Sequence, residues 1–231
     1  VMIPPLRALG LPLRPRWGFR GVGLRSAGRV AGWTFAALAV GYVGVIFSTN
    51  VQTAADDAAA QAPELAIAGN AAYSNAFLVG MLPHSLITTS LVMVMFTALA
   101  KHAAAGNTAA VRHDFAHGLR VVGVFTVFAG VALCVLALPI IRIVFPSATP
   151  GVASATSRVV VAFGAWLVLL GAWALCQRIY YAYEDARTLF FIQSAMAVVV
   201  SLGALAAATF LPPASWVVGV VVAQGVSHVL G

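Results

Sequence analysis

Long uncharged apolar runs alternate with short charged segments along the chain. The runs cover residues 30–55, 65–100, 121–141, 159–177 and 188 to the last residue. A helix needs roughly 20 residues to cross about 30 Å of hydrocarbon, and each run is about that long or longer. The last run contains Pro212 and Pro213, and because a helix does not continue through two prolines, this run divides into two.

The pattern predicts an all-α membrane protein, a polytopic bundle of six transmembrane helices. Lipid allows only helices or closed barrels to span it, and the sequence lacks the alternating segments of about ten residues that mark barrel strands. The predicted spans are about 30–50, 70–99, 121–143, 157–178, 188–210 and 215–231.

Composition supports this prediction and excludes nucleic-acid binding as the main role. Of the 231 residues, 61% are hydrophobic and 8% are charged, whereas a soluble domain typically has about 25% charged residues. Mean hydropathy is +0.97. Thirteen Lys and Arg against six Asp and Glu give a net charge of +7, but the charges form islands rather than the continuous basic surface of a nucleic-acid-binding protein.

Neither end of the chain has the pattern of a natural terminus. Val1 to Pro5 lacks the basic region and apolar core of a signal peptide. The last residues, Val229 to Gly231, fall inside an apolar run with no polar flank. We therefore expect the sequence to be a piece of a longer membrane protein.

The distribution of positive charge predicts the orientation in the membrane. Residues 1–29 contain six arginines and no acid, and the segment 101–120 contains three basic residues against one acid. The segment 51–69 carries Asp56, Asp57 and Glu64 and no base. Because cytoplasmic loops are enriched in Lys and Arg, we expect residue 1 and the 101–120 segment on the cytoplasmic side, and the 51–69 segment outside.

An amphipathic pattern follows the Gly106-Asn107-Thr108 breaker. Val111, Phe115 and Leu119 recur every four residues, which predicts a short interfacial helix at about 108–120. Its apolar edge would lie on the bilayer. Arg112 and Arg120 are candidates for contact with anionic headgroups or with the diphosphate of a lipid-linked substrate.

The chain offers no strong metal or disulfide signal. His113 and His117 are four residues apart, a spacing that suits a metal, but no third clustered ligand accompanies them. Cys134 and Cys176 fall at different depths of their spans, which disfavours a disulfide. We expect no metal and no cofactor.

The second predicted span contains a polar stripe. Tyr73, Phe77, Gly80, His84 and Thr88 are spaced four, three, four and four residues apart, which places them on one side of a helix. Polar groups in lipid need partners, so one interpretation is that Tyr73, His84 and Thr88 face a cavity. The other is that His84 or Ser85 merely satisfies the backbone freed by a kink at Pro83. Pro83 is in either case a candidate hinge.

No predicted span contains an acidic residue. Ion-coupled transporters usually keep a carboxylate at membrane depth, so this segment lacks the expected coupling site. His228 is a further titratable group inside a span, and we expect it to pack at a helix interface.

Three segments carry recognisable motifs. In 73–107 a tyrosine precedes Pro83, which opens a small-residue stretch that ends in an alanine, glycine and amide turn. Residues 112–120 end in a Gly-Leu-Arg that enters the next helix, and residues 178–188 contain an arginine, an aromatic residue, Tyr-Ala and an Asp in order. These segments resemble the MviN/MurJ lipid II flippases of the multidrug, oligosaccharidyl-lipid and polysaccharide exporter superfamily, in the style of the actinobacterial branch, with Leu189 where that family usually has proline.

The resemblance implies a fold and a function. It implies one lobe of a two-lobed, fourteen-helix transporter, spanning helices seven to twelve, with residues 1–29 as the linker between lobes. It also implies a non-enzymatic flippase of the bacterial plasma membrane that takes lipid II into a cationic cavity as the two lobes rock. The expected partners are lipid II, membrane lipids, the N-terminal lobe and cell-wall synthesis proteins.

The chain departs from the family pattern at two places. The arginine that many members carry before the proline of the second span is absent, and the sequence there is Phe77-Leu78-Val79-Gly80. The glycine-rich motif that usually follows the third span is absent, and residues 145–148 are Phe-Pro-Ser-Ala. The resemblance then leaves Arg29 or Arg178 to contribute to diphosphate binding. The alternatives are an exporter of another lipid-linked saccharide or a drug, and a membrane scaffold without transport activity.

Overall fold

The computed structural model describes residues 24–230, with side chains from residue 28 onward. Most of the predicted linker, residues 1–29, lies outside the described residues. The helices are α1 (Leu24–Gln61), α2 (Asn70–Pro83), α3 (Thr89–Ala104), α4 (Thr108–Val144), α5 (Pro150–Ala182), α6 (Ala186–Phe210) and α7 (Trp216–Ser227). A π-helical turn, His84–Thr88, joins α2 to α3, and a 3-10 turn, Pro213–Ser215, precedes α7.

The architecture is an all-α membrane bundle, as the sequence predicts. Within residues 24–230 there is no β-strand. Five helices are long and apolar enough to cross a membrane, namely α1, the continuous α2 to α3 unit, α4, α5 and α6, and the segment Pro213–Ser227 is a shorter apolar helix. Large apolar side chains such as Phe128, Ile143 and Phe210 are exposed on the outside of the bundle, where acyl chains are their natural surroundings.

Helix α5 is the centre of the bundle. It packs along α4 and also against α2, α3 and α7. More than half of the residues in its most apolar stretch are buried. Its fully buried side chains include Val159, Phe163 and Leu167. Because lipid tails are as apolar as these side chains, close packing rather than water exclusion holds the helices together.

The α4–α5 contact is closest where two glycines meet. A Cβ on Gly130 would lie 2.6 Å from the carbonyl oxygen of Gly164, and a Cβ on Gly164 would lie 2.8 Å from that of Gly130. The two backbones therefore touch directly, as small residues allow at membrane helix crossings.

The α1–α6 pair forms the other side of the bundle. These two helices pack extensively on each other, and α7 connects them to α5. Direct contacts between α1 and α2, and between α5 and α6, are few. This arrangement leaves a gap in the middle of the bundle, which the cavity described below occupies.

Side-chain hydrogen bonds fix the α1–α2 connection, and a glycine forms the α3–α4 turn. Asp56 of α1 accepts the backbone N–H of Asn70 through both carboxylate oxygens, at 3.1 and 3.2 Å, and so caps α2. Arg158 of α5 donates to the carbonyl oxygen of Ala66 at 2.8 Å. At the α3–α4 turn, Gly106 has a φ of +68°, in the region that favours glycine.

Helix lengths differ from the sequence prediction at several places, and α5 begins at Pro150 rather than near residue 157. Helix α1 continues to Gln61 rather than ending near residue 50, since the segment 54–60 is rich in alanine, the best helix former. The segment 108–120 is the first part of the continuous helix α4 rather than a separate interfacial helix. Val111 and Phe115 pack with Val92, Leu99 and Leu175, so this part of the predicted apolar edge faces protein, whereas Leu119 is exposed.

Helix α7 is shorter than the predicted span 215–231 and ends at Ser227. The carbonyl oxygen of Gln224 accepts the Ser227 hydroxyl at 2.7 Å and lies 2.7 Å from Nδ1 of His228. The backbone N–H of His228 instead donates to Gly225, three residues back. Side chains thus take the carbonyl that the next helical N–H would use, which ends the α-helix.

Candidate functional site

A cavity of about 350 Å³ lies in the middle of the bundle. Five helices form its wall, α1, α2, α5, α6 and α7. The lining residues fall midway along the long helices, at 41–48 of α1, 163–173 of α5 and 193–200 of α6. By the rise of 1.5 Å per residue, the cavity is therefore near the middle of the hydrophobic layer.

One side of the cavity is polar and uncharged. Gln224 Nε2 donates to the hydroxyl oxygen of Tyr73 at 2.9 Å and joins α7 to α2. Gln193, Ser227 and His228 also line the wall. Ser48 of α1 lines it too, and its buried hydroxyl has no hydrogen-bond partner among the described residues.

Aromatic rings share this wall with the polar groups, because Tyr73 and His228 belong to both sets. Tyr73 stacks on Phe77 with ring centroids 6.2 Å apart and packs against Phe163 at 5.7 Å. Phe163 contacts Trp166 at 5.8 Å, and Trp166 stacks on His228 at 4.8 Å. The rings form a continuous row from α2 through α5 to α7. His228 thus packs at a helix interface, as the sequence predicts, and also lines the cavity.

The chemistry of this wall suits neutral polar groups. None of its lining residues is Asp, Glu, Lys or Arg. A polar atom without a partner in hydrocarbon costs several kcal/mol, so the free hydroxyl and amide groups favour water or a hydroxyl- and amide-bearing ligand inside. The aromatic rings can stack on the apolar faces of a sugar ring or on an acyl chain. A phosphate would find no cation in this wall.

The polar stripe predicted along the second span does not continue past Pro83. Tyr73 and Phe77 line the cavity, but His84 and Thr88 are not among its lining residues. The π turn His84–Thr88 places more residues in one turn than an α-helix does, so the regular 100° spacing fails there. Thr88 is fully buried in the protein, and neither its hydroxyl nor Nδ1 of His84 has a partner within residues 24–230.

The proline and the π turn occur together for a physical reason. Proline has no N–H to donate, and its ring pushes away the carbonyl one turn earlier. The next turn of the helix is wider, because the N–H of Thr89 donates to the carbonyl oxygen of His84, five residues back, as in a π-helix. Ser85 donates to the carbonyl oxygen of Leu82 at 3.1 Å, whereas the His84 ring does not repair the kink.

The two candidate arginines lie away from the central cavity. Arg29 lies at the start of α1, in a separate crevice with Arg187, Glu184 and Asp185. Arg178 is half-buried near the end of α5, and its guanidinium lies 5.8 Å from the ring centroid of Phe96 on α3. The Nε of Arg178 is buried and has no partner in the part of the chain that the structure describes.

Arg112 and Arg120 are exposed on α4. They project from the first part of the long helix α4 rather than from a separate helix that lies flat on the membrane. Asp114, between them, lies 3.5 Å from His102 of α3 and 3.5 Å from His113. Within residues 24–230 no group of three or more His, Cys, Asp or Glu side chains is arranged to hold a metal, and Cys134 and Cys176 are free thiols.

Sequence reasoning missed the amides of the cavity. Gln193 and Gln224 lie in predicted spans, but the polar residues predicted to face a cavity were hydroxyl and imidazole side chains, not amides. An uncharged amide in an apolar run is itself a signal, because its two donors and one carbonyl need partners in lipid. Which helices these amides would face depends on contacts distant in sequence, which hydropathy does not report.

Comparison with known proteins gives one family. A family model described as "Lipid II flippase MurJ" matches residues 1–231, the whole chain. No curated protein and no solved structure matches it.

Proposed function

Because the chain belongs to the MurJ lipid II flippase family, we propose that it moves lipid II across the bacterial plasma membrane for cell-wall synthesis, by alternating access of a central cavity. The family is one of transporters rather than enzymes. In this proposal residue 1 faces the cytoplasm. The N-terminal lobe and cell-wall synthesis proteins, expected from the sequence resemblance, are its further partners.

The observation that carries the proposed mechanism is the uncharged polar cavity at mid-depth. Transporters place substrate sites near the bilayer midplane, between helices that move relative to one another. Here the wall combines Gln193, Gln224, Tyr73 and Ser48 with a row of aromatic rings. Such a wall matches the sugar and peptide groups of lipid II, which carry many hydroxyls and amides.

The diphosphate of lipid II needs a different contact, because the cavity wall has no cation. Arg178 is better suited than Arg29, since Arg29 shares its crevice with two carboxylates. The buried Nε of Arg178 has no partner within residues 24–230, and a phosphate oxygen would satisfy it. In this proposal Arg178 receives the diphosphate between α3 and α5, before the saccharide enters the cavity.

The break between α2 and α3 is the proposed hinge. A helix that lacks a backbone hydrogen bond at Pro83 and has a wide turn at His84–Thr88 bends more easily than a regular helix. Pro83→Ala should allow a regular helix at this position. Because a regular helix bends less easily, this substitution should slow lipid II translocation. Pro139→Ala, which removes a proline inside α4 with no π turn beside it, is the matched control and should leave the rate unchanged.

The cavity is tested in the intact protein by lipid II translocation in a cysteine-free background. Cysteine at Gln193, in the cavity wall, should make translocation sensitive to a bulky maleimide. Cysteine at Val198, on the same helix but 56% exposed on the outside of the bundle, would face hydrocarbon, where a thiol does not ionise, so it should not react and transport should stay insensitive. Modification of the cysteine at 193 without a block of transport would contradict use of this cavity.

The lack of a charged side chain in the wall is the observation that favours the alternatives. A neutral cavity suits a different lipid-linked saccharide or a drug, and a protein without transport activity would not need a diphosphate site. Failure of the intact protein to move lipid II, with retained movement of another lipid-linked saccharide, would support the first alternative. Binding of a cell-wall synthesis protein with no transport at all would support the scaffold.

A further inference from the structure

A second cavity, of about 500 Å³, lies at one end of the bundle between the start of α1 and the α5–α6 connection. We call it the α1–α6 crevice. The lining residues that matter here are Arg29, Trp33, Tyr183, Glu184, Asp185 and Arg187. It shares no lining residue with the central cavity.

The crevice brings together two cations and two anions. Arg29, Arg187 and Glu184 are exposed, and Asp185 is half-buried. Among the described residues no ion pair joins any of these four side chains. Their charges are therefore available to a ligand.

Two of the charged groups are held in place. The guanidinium of Arg187 lies 6.0 Å from the ring centroid of Trp33 and 5.9 Å from that of Phe191, so cation–π contacts keep it against α1 and α6. Asp185 accepts the N–H of Thr188 at 3.1 Å as the N-cap of α6. Hydrogen bonds from Thr188 lower the pKa of Asp185, so its carboxylate is charged at neutral pH.

Glu184 occupies an unusual backbone position beside these groups. Its φ is +54°, in the left-handed region that glycine or asparagine usually fills. The side chain is exposed at the turn between α5 and α6. This position holds the Glu184 carboxylate at the mouth of the crevice, beside Asp185.

The position of the crevice matches the border between lipid and water. Arg29 is next to the start of an uncharged apolar run, and Trp33 and Tyr183 are residue types enriched at membrane interfaces. On α6 the ring of Phe191 is 55% exposed and lies 6.3 Å from the ring of Trp33, next to Arg187. It provides an apolar surface for an acyl chain beside a headgroup seated in the crevice.

The mixed charge selects among ligands. A diphosphate or a purely anionic headgroup would meet repulsion from Glu184 and Asp185, and a simple cation would meet repulsion from Arg29 and Arg187. A group with one phosphate and one primary ammonium satisfies both sets. Carboxylates accept N–H hydrogen bonds from a primary ammonium, which a quaternary ammonium cannot donate.

We propose that the α1–α6 crevice binds the headgroup of a zwitterionic aminophospholipid, with its phosphate on Arg29 and Arg187 and its ammonium on Glu184 and Asp185. The same chemistry exists in soluble phosphoethanolamine. The exposed ring of Phe191 beside the crevice favours the lipid as its source. This site is independent of the transport proposal, because its test measures lipid binding and not translocation.

The test measures lipids retained by the purified intact protein in detergent, by native mass spectrometry. The probes are phosphatidylethanolamine, phosphatidylcholine and phosphatidylglycerol with identical acyl chains, and soluble phosphoethanolamine as competitor. We expect phosphatidylethanolamine to be retained most strongly, and soluble phosphoethanolamine not to displace it at equal concentration. Equal retention of the three lipids, or displacement by the soluble compound, would overturn the proposal.

Substitutions separate the two halves of the site. Arg29→Gln should lower phosphatidylethanolamine retention about fivefold, since a charge near the surface contributes about that factor. Glu184→Lys should reverse the preference in favour of phosphatidylglycerol. Glu64→Lys, an exposed glutamate in the α1–α2 connection, is the matched control and should leave the preference unchanged. An unchanged preference in Glu184→Lys would contradict the assignment, and because Glu184 is exposed this substitution leaves the core intact.

Discussion

The side chains of Tyr73 and Gln224, 151 positions apart, are joined by a hydrogen bond of 2.9 Å across the wall of the central cavity. This contact connects the first turn of α2 to α7, the shortest α-helix of the bundle. It also gives a partner to two polar groups that lie at mid-depth in an apolar layer. The stability of the bundle and the shape of the cavity are therefore linked at this pair.

Removing either partner should destabilise the protein measurably. Tyr73→Phe leaves the Gln224 amide without its partner, and Gln224→Met leaves the tyrosine hydroxyl without one, so each should cost about 1 kcal/mol of unfolding free energy. The double variant should cost less than the sum, with a coupling of about 0.6 kcal/mol, typical of membrane hydrogen bonds. Unfolding in mixed micelles measures all three.

Tyr42→Phe provides the control for this cycle. Tyr42 is 66% exposed on α1 and forms no hydrogen bond within the described residues. Its unfolding free energy should match that of the unaltered protein. Strictly additive costs for the Tyr73 and Gln224 variants would show that the hydrogen bond contributes nothing.

A methyl group at the α4–α5 crossing should disrupt the bundle. Gly130→Ala would force the two backbones apart, because its Cβ would meet the carbonyl oxygen of Gly164, at a cost of about 1–3 kcal/mol. Gly123→Ala on the same helix has no neighbour within 4 Å, so it should be neutral or stabilise the helix by up to about 1 kcal/mol. Equal unfolding free energies for the two variants would contradict this account of the crossing.

The carboxylate of Asp56 should stabilise the start of α2. Gly69 at the N-cap has no side chain to accept a hydrogen bond, and Asp56 supplies the acceptor from α1. Asp56→Ala should lower the unfolding free energy by about 0.5–2 kcal/mol, and Asp57→Ala, at its exposed neighbour, should not. A Cβ at Gly69 would collide with the Asp56 carboxylate, so Gly69→Ala should be destabilising as well.

Cysteine labelling tests the predicted orientation. Asp57 and His113 are both exposed, so cysteine at either position is accessible to a thiol reagent. Cysteine at 57 should react with an impermeant reagent added to intact cells, and cysteine at 113 should react only after permeabilisation. The reverse labelling would place residue 1 outside.

The exposed Arg112 and Arg120 and the half-buried Arg178 should recruit anionic lipid. Changing Arg112, Arg120 and Arg178 together to Gln should reduce anionic lipid that co-purifies with the protein, since each charge near a membrane surface contributes about 1 kcal/mol. Arg142→Gln, an exposed arginine near the other end of α4, is the control. Unchanged co-purification in the triple variant would exclude a role for these arginines in lipid binding.

The sequence alone determined the class of fold and the family. Lipid leaves backbone groups no partner except one another, so an apolar run of sufficient length becomes a helix whatever surrounds it. The predicted fifth span, 188–210, therefore differs from α6 by only two residues at its start. The motifs around Pro83 and the α5–α6 connection carried the family resemblance, which the match over residues 1–231 confirms.

Only the tertiary structure decided which polar residues share a cavity. Hydropathy and 100° spacing describe one helix at a time, and they placed Tyr73, His84 and Thr88 together. The π turn after Pro83 changes the direction of every later side chain, and α7 brings Gln224 to Tyr73 from the far end of the chain. Such contacts depend on how seven helices pack, so the residues that line the cavity could not be derived from the spacing of any one of them.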